Sequence, residues 1–357
     1  PANAASDVVD FITFATAGDA ADFGNLSSAQ IYNGGCGGKV RGFNMGGNKY
    51  PALESQIDYF TIATTGNASD FGDLNSASNY SAGQCENKIR ALIGGLGSGA
   101  TNIVEYITQA TTGNSVDFGD LATSIKENNN GATSNNQSGI TEDNIIQAPS
   151  VTYMPGSGRA LFGGGYNTPA NVSTIDKIEF ASEGNSADFG NLTQARGNGS
   201  SVSSTTRGVF GGGYKSAPAV LYDIIDFITI ASTGDATDFG DLSATRKRIN
   251  SGLVNSNTRG LFGGGDGGSK VDIIEFITIA SAGDVTDFGD LTNAADGPAG
   301  VSDSIRGVTA GGYAPGVLNI MSFITIASTG DATDFGDLSE GRGFLSGSSD
   351  SHGGLQS

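Results

Sequence analysis

The chain has 357 residues, 57 of them glycine, with no tryptophan, 15% charged residues and a net charge of −19. That balance argues against a nucleic-acid surface, which needs clustered Lys or Arg; Arg246, Lys247 and Arg248 form the only basic cluster. No apolar run approaches the ~20 residues of a membrane-spanning helix, and an acidic shell repels anionic lipid, so neither nucleic acid nor membrane insertion is expected.

Strand-forming stretches at Val8–Ala15 and Ala20–Leu26 lead into the first copy of a motif, Gly-Asp/Asn-x-x-Asp-Phe-Gly-Asp/Asn-Leu. Its Asp-Phe-Gly cores begin at Asp22, Asp70, Asp117, Asp188, Asp238, Asp287 and Asp334, at spacings of 48, 47, 71, 50, 49 and 47 residues. Repeats of this length, made of short β-branched runs and glycine turns, predict propeller blades. The expectation is an all-β, seven-bladed β-propeller with four-stranded antiparallel blades, occupying residues 1–357 as a single domain. The long interval places an insertion at about residues 122–150 in the fourth unit. Rich in Asn, Ser and Gly, it is expected in the loop between strands D and A, as a binding loop or a flexible excursion.

The sixth unit shows the four strands: A at Ser251–Ser256, B at Arg259–Gly263, C at Asp272–Ala280 and D at Thr286–Leu291. Strand C, as in Ile225–Ala231, carries apolar residues on both alternating faces, as a strand sandwiched between blades does. The Phe of each Asp-Phe-Gly, such as Phe239, is expected to fill the gap between neighbouring sheets. The first motif has strands C and D but no A or B before it, and the last is followed by Gly341–Ser357, which has room for A and B. A composite closing blade, 1–26 plus 341–357, follows from that register and leaves no free sheet edge.

Cys36 and Cys85 each lie five residues before an Arg, where other repeats place Met154, Val202, Val254 and Val301. An apolar position reads as a buried free thiol; a disulfide between neighbouring blades is the alternative. His352 is the only histidine and stands where six repeats have Arg, so neither a Ser-His-Asp triad nor a multi-histidine metal site assembles. Catalytic residues, metal ligands and cofactors are therefore expected to be none. The acid-rich turns admit two readings. Asp284, Asp287 and Asp290 crowd one hairpin, an oxygen set of the kind that holds Ca²⁺. Alternatively the acids cap turns and pair with arginines, so that Arg41, Arg90, Arg159, Arg207, Arg259 and Arg306 form an ion-pair ring with Asp70, Asp117, Asp188, Asp238, Asp287 and Asp334. The opposite face, with the D–A and B–C loops, varies most. Its candidate binding residues are Tyr166, Tyr214 and Tyr313, which stack on sugars or pack on the next blade, with Asn128, Asn129, Asn135 and Asn136 of the insertion.

Glycine doublets at Gly46-Gly47, Gly94-Gly95, Gly163-Gly164, Gly212-Gly213, Gly264-Gly265 and Gly311-Gly312 precede strand C. With Arg196, Arg246 and Arg342 they resemble the kelch repeat, Phe standing where kelch has Trp. The wording Ile-Thr-Ile-Ala-Ser-Thr-Gly-Asp-Ala-Thr-Asp-Phe-Gly-Asp-Leu resembles kelch-like repeat proteins of marine bacteriophages, cyanophages especially. That resemblance implies a virion location, at the particle surface or tail, and no assigned chemistry. Copper-radical oxidases share the propeller, but their His and Tyr ligands have no candidates here. The expected function is a non-enzymatic tail-fibre, appendage or capsid-surface module that binds another virion protein or a host glycan. A cellular or secreted kelch-type scaffold is the rival, and a glycan-active enzyme ranks last because no acid/base pair stands out among the repeated acids.

Overall fold

A computed structural model describes residues 5–31, 33–38, 40–49, 52–78, 83–87, 89–96, 101–125, 132–134, 158–167, 169–180, 184–249, 254–256, 258–303, 305–345 and 347. The described residues form antiparallel sheets arranged as a β-propeller. An N-terminal sheet pairs Ser6–Phe11 with Ala21–Gln30. Blade 1 runs Gly34–Gly37, Arg41–Lys49, Ala52–Thr61, Ser69–Ser78; blade 2 runs Gly83–Glu86, Arg90–Gly94, Thr101–Thr108, Val116–Ile125. Blade 3 runs Ala132–Ser134, Arg159–Asn167, Ala170–Glu179, Ala187–Asn191; blade 4 runs Ser200–Ser203, Arg207–Ser216, Ala219–Thr229, Thr237–Asp241. Blade 5 keeps Arg259–Gly263, Ile273–Thr278 and Thr286–Asp290, and blade 6 runs Ala299–Ser302, Arg306–Ala310, Ile320–Thr325, Thr333–Asp337. In each four-stranded blade the strands pair in the order A, B, C, D, and the A strands of blades 1 to 4 touch in succession.

The core lies between blades rather than inside any one of them. Leu161, Ile175, Phe189 and Leu192 of blade 3 pack against Phe210, Ile228 and Ile230 of blade 4. The Asp-Phe-Gly phenylalanines Phe71, Phe118, Phe239, Phe288 and Phe335 are buried, and each meets the strand-C aromatic of its own blade edge-on, as Phe239 meets Phe227 with centroids 5.7 Å apart. Each buried aromatic of this kind stabilises by roughly 1.5–3 kcal/mol.

Strand D of one sheet hydrogen-bonds the C–D turn of the next. Gly283 N donates to Phe239 O at 2.6 Å and Val285 N to Asp241 O at 3.0 Å. The same two bonds recur at every junction, including Gly66 and Ala68 on Phe23 and Asn25, and Gly18 and Ala20 on Phe335 and Asp337. The N-terminal sheet is thus bonded to blade 1 on one side and to blade 6 on the other. Backbones approach so closely here that the Asp-Phe-Gly glycine is obligatory. At Gly240 (φ 147°) a Cβ would lie 2.4 Å from the Gly283 carbonyl.

Two expectations are corrected. Seven four-stranded blades were expected; the described residues form six blades of three or four strands and a two-stranded sheet. The inner pair for that sheet would come from 341–357, of which residues 341–345 and 347 form no strand and the remainder, His352 included, lie outside the described residues. The insertion was expected in a D–A loop, yet Ala132–Ser134 pairs with Ala160–Phe162 as the A strand of blade 3. Residues 126–131 and 135–157, and with them Asn128, Asn129, Asn135 and Asn136, lie outside the described residues.

Gly240→Ala is expected to lower unfolding stability by about 2 kcal/mol or more, from strain at positive φ together with the clash. Gly263→Ala, whose Cβ would meet only Ile274 Cγ1 at 3.9 Å, is the control and should change stability by much less. Equal urea midpoints for the two variants would contradict this account of the junction.

Candidate functional site

The six strand-B arginines do not form the expected ion-pair ring. Each reaches a backbone carbonyl just past strand C of the next sheet: Arg41 bonds Gln109 O (2.8 Å), Arg90 Phe180 O (3.1 Å), Arg159 Ile230 O (3.0 Å), Arg207 Ile279 O (2.9 Å), Arg259 Ile326 O (2.8 Å) and Arg306 Phe14 O (2.6 Å). Five guanidinium groups also lie over the strand-C aromatic of their own blade, such as Arg41 over Tyr59 at 4.6 Å. A fixed cation over a ring face adds attraction beyond packing. Blade 3 lacks that ring, Lys177 standing in its place, and there Arg159 pairs with Glu179 at 2.7 Å.

Asp70, Asp117, Asp188, Asp238, Asp287 and Asp334 are exposed at the start of strand D, and among the described residues none pairs with these arginines. Asp117 and Asp334 accept from the amides of Gly119 and Gly336 two residues on. The Asp or Asn that follows the glycine of each turn caps a neighbouring blade instead of its own hairpin: Asp284 Oδ1 accepts from Asp241 N at 3.1 Å, Asn67 from Asn25 N and Asp19 from Asp337 N. An acceptor oxygen is all that this role needs, which explains why Asn and Asp interchange. Among the described residues no group of three or more His, Cys, Asp or Glu is placed to hold a metal ion. Cys36 and Cys85 are free and buried, and burial raises both thiols well above their ordinary range.

The residues missed in the sequence are buried acids in strand C. Asp10, Asp58, Glu105, Asp176, Asp226 and Glu275 each point into the preceding sheet and accept from the residue after its motif leucine: Ser339, Ser27, Asn75, Ala122, Thr193 and Ser243 respectively. Three of them also hold an arginine from that sheet, buried at Arg196 and Arg246 and partly exposed at Arg342. Arg196 pairs with Asp226 at 2.9 Å, Arg246 with Glu275, and Arg342 with Asp10. Burial pulls Arg196 and Arg246 below the ordinary guanidinium range while Asp226 and Glu275 push back. Between blades 5 and 6 both members are lost together: Ala295 stands where the arginine would, and Ser322 bonds Thr292 in place of the acid. An acid inside an apolar strand, and its loss alongside the arginine, was the signal available in the repeat.

The D–A and B–C loops hold the candidate binding surface, spread over blades 4 to 6. Tyr214 and Gly197 exchange backbone hydrogen bonds, as do Tyr313 and Asp296. Tyr166, Tyr214 and Tyr313 are all half-buried, and the Lys247 ammonium lies 4.7 Å from the Tyr214 ring centre. Asp296 is buried and accepts from Arg248 at 2.8 Å and Lys270 at 2.9 Å; Lys270 also reaches Asp266 at 3.1 Å.

No protein-family description matches the chain, and no curated protein matches it either. A solved structure described as the structure of YjhT superposes with a TM-score of 0.61, covering 87% of this chain and 98% of that one at 9% identity. The likeness supports the β-propeller fold and carries nothing further.

Removing one partner of a buried ion pair strands the other, at about 3–5 kcal/mol. Arg246→Met should show that loss, and Arg246→Ala with Glu275→Ser, which copies the Ala295/Ser322 junction, should recover most of it in urea unfolding. A double variant as weak as the single would sink the junction reading. Glu105 has Ser78 where blade 4 has Arg196, and burial raises its carboxyl above the ordinary range, the bonds from Ser115 and Asn75 pulling the other way. An acid raised in the fold opposes folding only once ionised, so its cost is absent below about pH 4.3 and grows as pH rises through the folded value. Glu105→Gln should therefore gain stability relative to the parent near neutral pH and not in acid; a gain that does not change with pH contradicts the assignment.

Proposed function

We propose that the chain is a non-enzymatic structural or recognition module of a virus particle: a kelch-like tail-fibre, appendage or capsid-surface propeller that binds another virion protein or a host-surface glycan. The observation that carries this reading is how charge is distributed. The repeated arginines and buried acids hold sheet to sheet, and the departures from the repeat in charged chemistry gather on the D–A and B–C loops of blades 4 to 6. A rigid ring that presents one distinctive face suits recognition or architecture better than turnover. The phage-like repeat wording adds the particle location.

The same reading closes the ring with both termini. A cavity of about 730 Å³ lies beside Ser6–Phe11, lined by Phe11, Phe43, Val301, Val308, Met321 and Leu345 among others. The buried Nδ2 of Asn44, another lining residue, has no hydrogen-bond partner among the described residues. Gly347 lies against Val301, where a Cβ would approach within 2.6 Å. The remaining tail residues, 348–357, are the proposed source of the missing inner strands.

Purified particles should contain the chain at a fixed stoichiometric copy number, visible by particle imaging; its absence from particles would refute the virion reading. Deleting residues 348–357 should cause unfolding or aggregation. An unchanged melting temperature would refute closure by the tail while leaving the particle reading standing.

A further inference from the structure

Nine of the 18 basic residues are the strand-B arginines and the three junction arginines; of the other nine, Lys247, Arg248 and Lys270 converge on the D–A and B–C loops. Arg248 holds φ at 53°, uncommon for a residue with a side chain. Its N–H donates to Asn198 O at 2.7 Å and its carbonyl accepts from Gly297 N at 3.1 Å, so its backbone is tied to the loops on both sides. The guanidinium lies 5.7 Å from the Phe344 ring centre, and that ring lies on Gly297, where any Cβ would come within 2.6 Å of it. The acids sit below the cations. Side-chain exposure is 35% for Arg248 and 27% for Lys270, against 1% for Asp296 and 16% for Asp266. Asp296 uses one oxygen for both cations, and its Oδ1 is buried without a partner among the described residues. Arg248 has five N–H donors and Lys270 three, so donors remain for a ligand.

We infer that this cluster is a binding site for the carboxylate or sulfate groups of an acidic polysaccharide, an inference that rests on the recognition reading of the same face. A protein of net charge −19 repels a broad acidic partner, but its field is screened beyond about 8 Å at physiological ionic strength. A thin chain brings its anions to the cations without facing the acidic rim. The cluster runs from Tyr214 to Phe344 across successive loops, which suits an extended ligand, and half-buried Tyr214 and Tyr313 border it with aromatic edges and hydroxyls.

The test titrates the full chain with a polyuronate oligosaccharide, a neutral oligosaccharide of equal length, polyglutamate and inorganic sulfate, at two salt concentrations. The polyuronate should bind, weaken as salt rises, and lose about tenfold or more in affinity when Arg248→Gln and Lys270→Gln are combined, a loss of about 1.4 kcal/mol. Lys49→Gln, at an exposed lysine elsewhere, should bind like the parent. Lys247→Gln leaves both cations on Asp296 and should weaken binding on its own, which keeps the test open if the double variant unfolds. Polyuronate affinity unaltered by all these variants would overturn the inference, as would polyglutamate binding as tightly or sulfate binding alone. Polyuronate binding by a chain absent from particles would count against the particle reading alone; particle incorporation without such binding would count against this site alone.

Discussion

A blade whose two broad faces are both apolar has no stable existence alone, so every structural commitment in this chain is made at the contact between one sheet and the next. The closest of these contacts is backbone on backbone. The Asp-Phe-Gly glycine meets the turn glycine of its neighbour at a distance that leaves no room for a side chain. Two amide bonds seal the approach. Placing the next turn against strand D also places its Asp or Asn, which then accepts from a strand-D amide. Turn chemistry, glycine spacing and acidic composition thus follow from one contact repeated around the ring.

The buried carboxylates add a directional element to otherwise non-directional apolar packing. Each accepts a backbone N–H from the preceding sheet, satisfying a donor that burial would otherwise strand. At Arg196–Asp226 and Arg246–Glu275 the pair is as buried as any leucine of the core, and such pairs commonly do little for net stability against an apolar replacement. Their effect is on register: a carboxylate one residue out of place would lose both its amide and its cation. Ala295 and Ser322 show that a junction works with neither member of the pair, and Asp58 and Glu105, opposite Gln30 and Ser78, that the acid also stands without the arginine. At that same junction the residue after Ala295 is Asp296, which draws Arg248 from the previous loop and Lys270 from a B–C loop. One ion pair is missing from the depth of the junction, and another set ties the loops above it.

The propeller was legible because its determinants are local: glycine spacing, strand C with two apolar faces, and a motif that recurs at nearly constant intervals. Blade completeness was not legible, because pairing beside the N-terminal sheet is long-range and repeat spacing does not encode it. The A strand of blade 3 was not legible for a similar reason. Ala132–Ser134 is too short for periodicity to mark as a strand, and only its pairing with Ala160–Phe162 identifies it. The arginine ring failed in its partners. Composition suggested acids, but an arginine at the start of strand B lies beside the end of the next strand C, where the atoms offered are carbonyl oxygens.

The two faces do not divide as their sequences suggested. The face bearing the uniform arginines spends them on backbone carbonyls of the next sheet rather than on its acids. The other face, expected to be distinguished by the excursion and by tyrosines, is distinguished by cations instead. Tyr214 is partly covered by Lys247, so stacking of a sugar on that ring would require the ammonium to move aside. An anionic group has no such conflict, because it meets the ammonium where it already stands. The chemistry of this face thus favours attraction between charges over stacking on an open aromatic surface, and Tyr214 acts as the platform under the Lys247 ammonium.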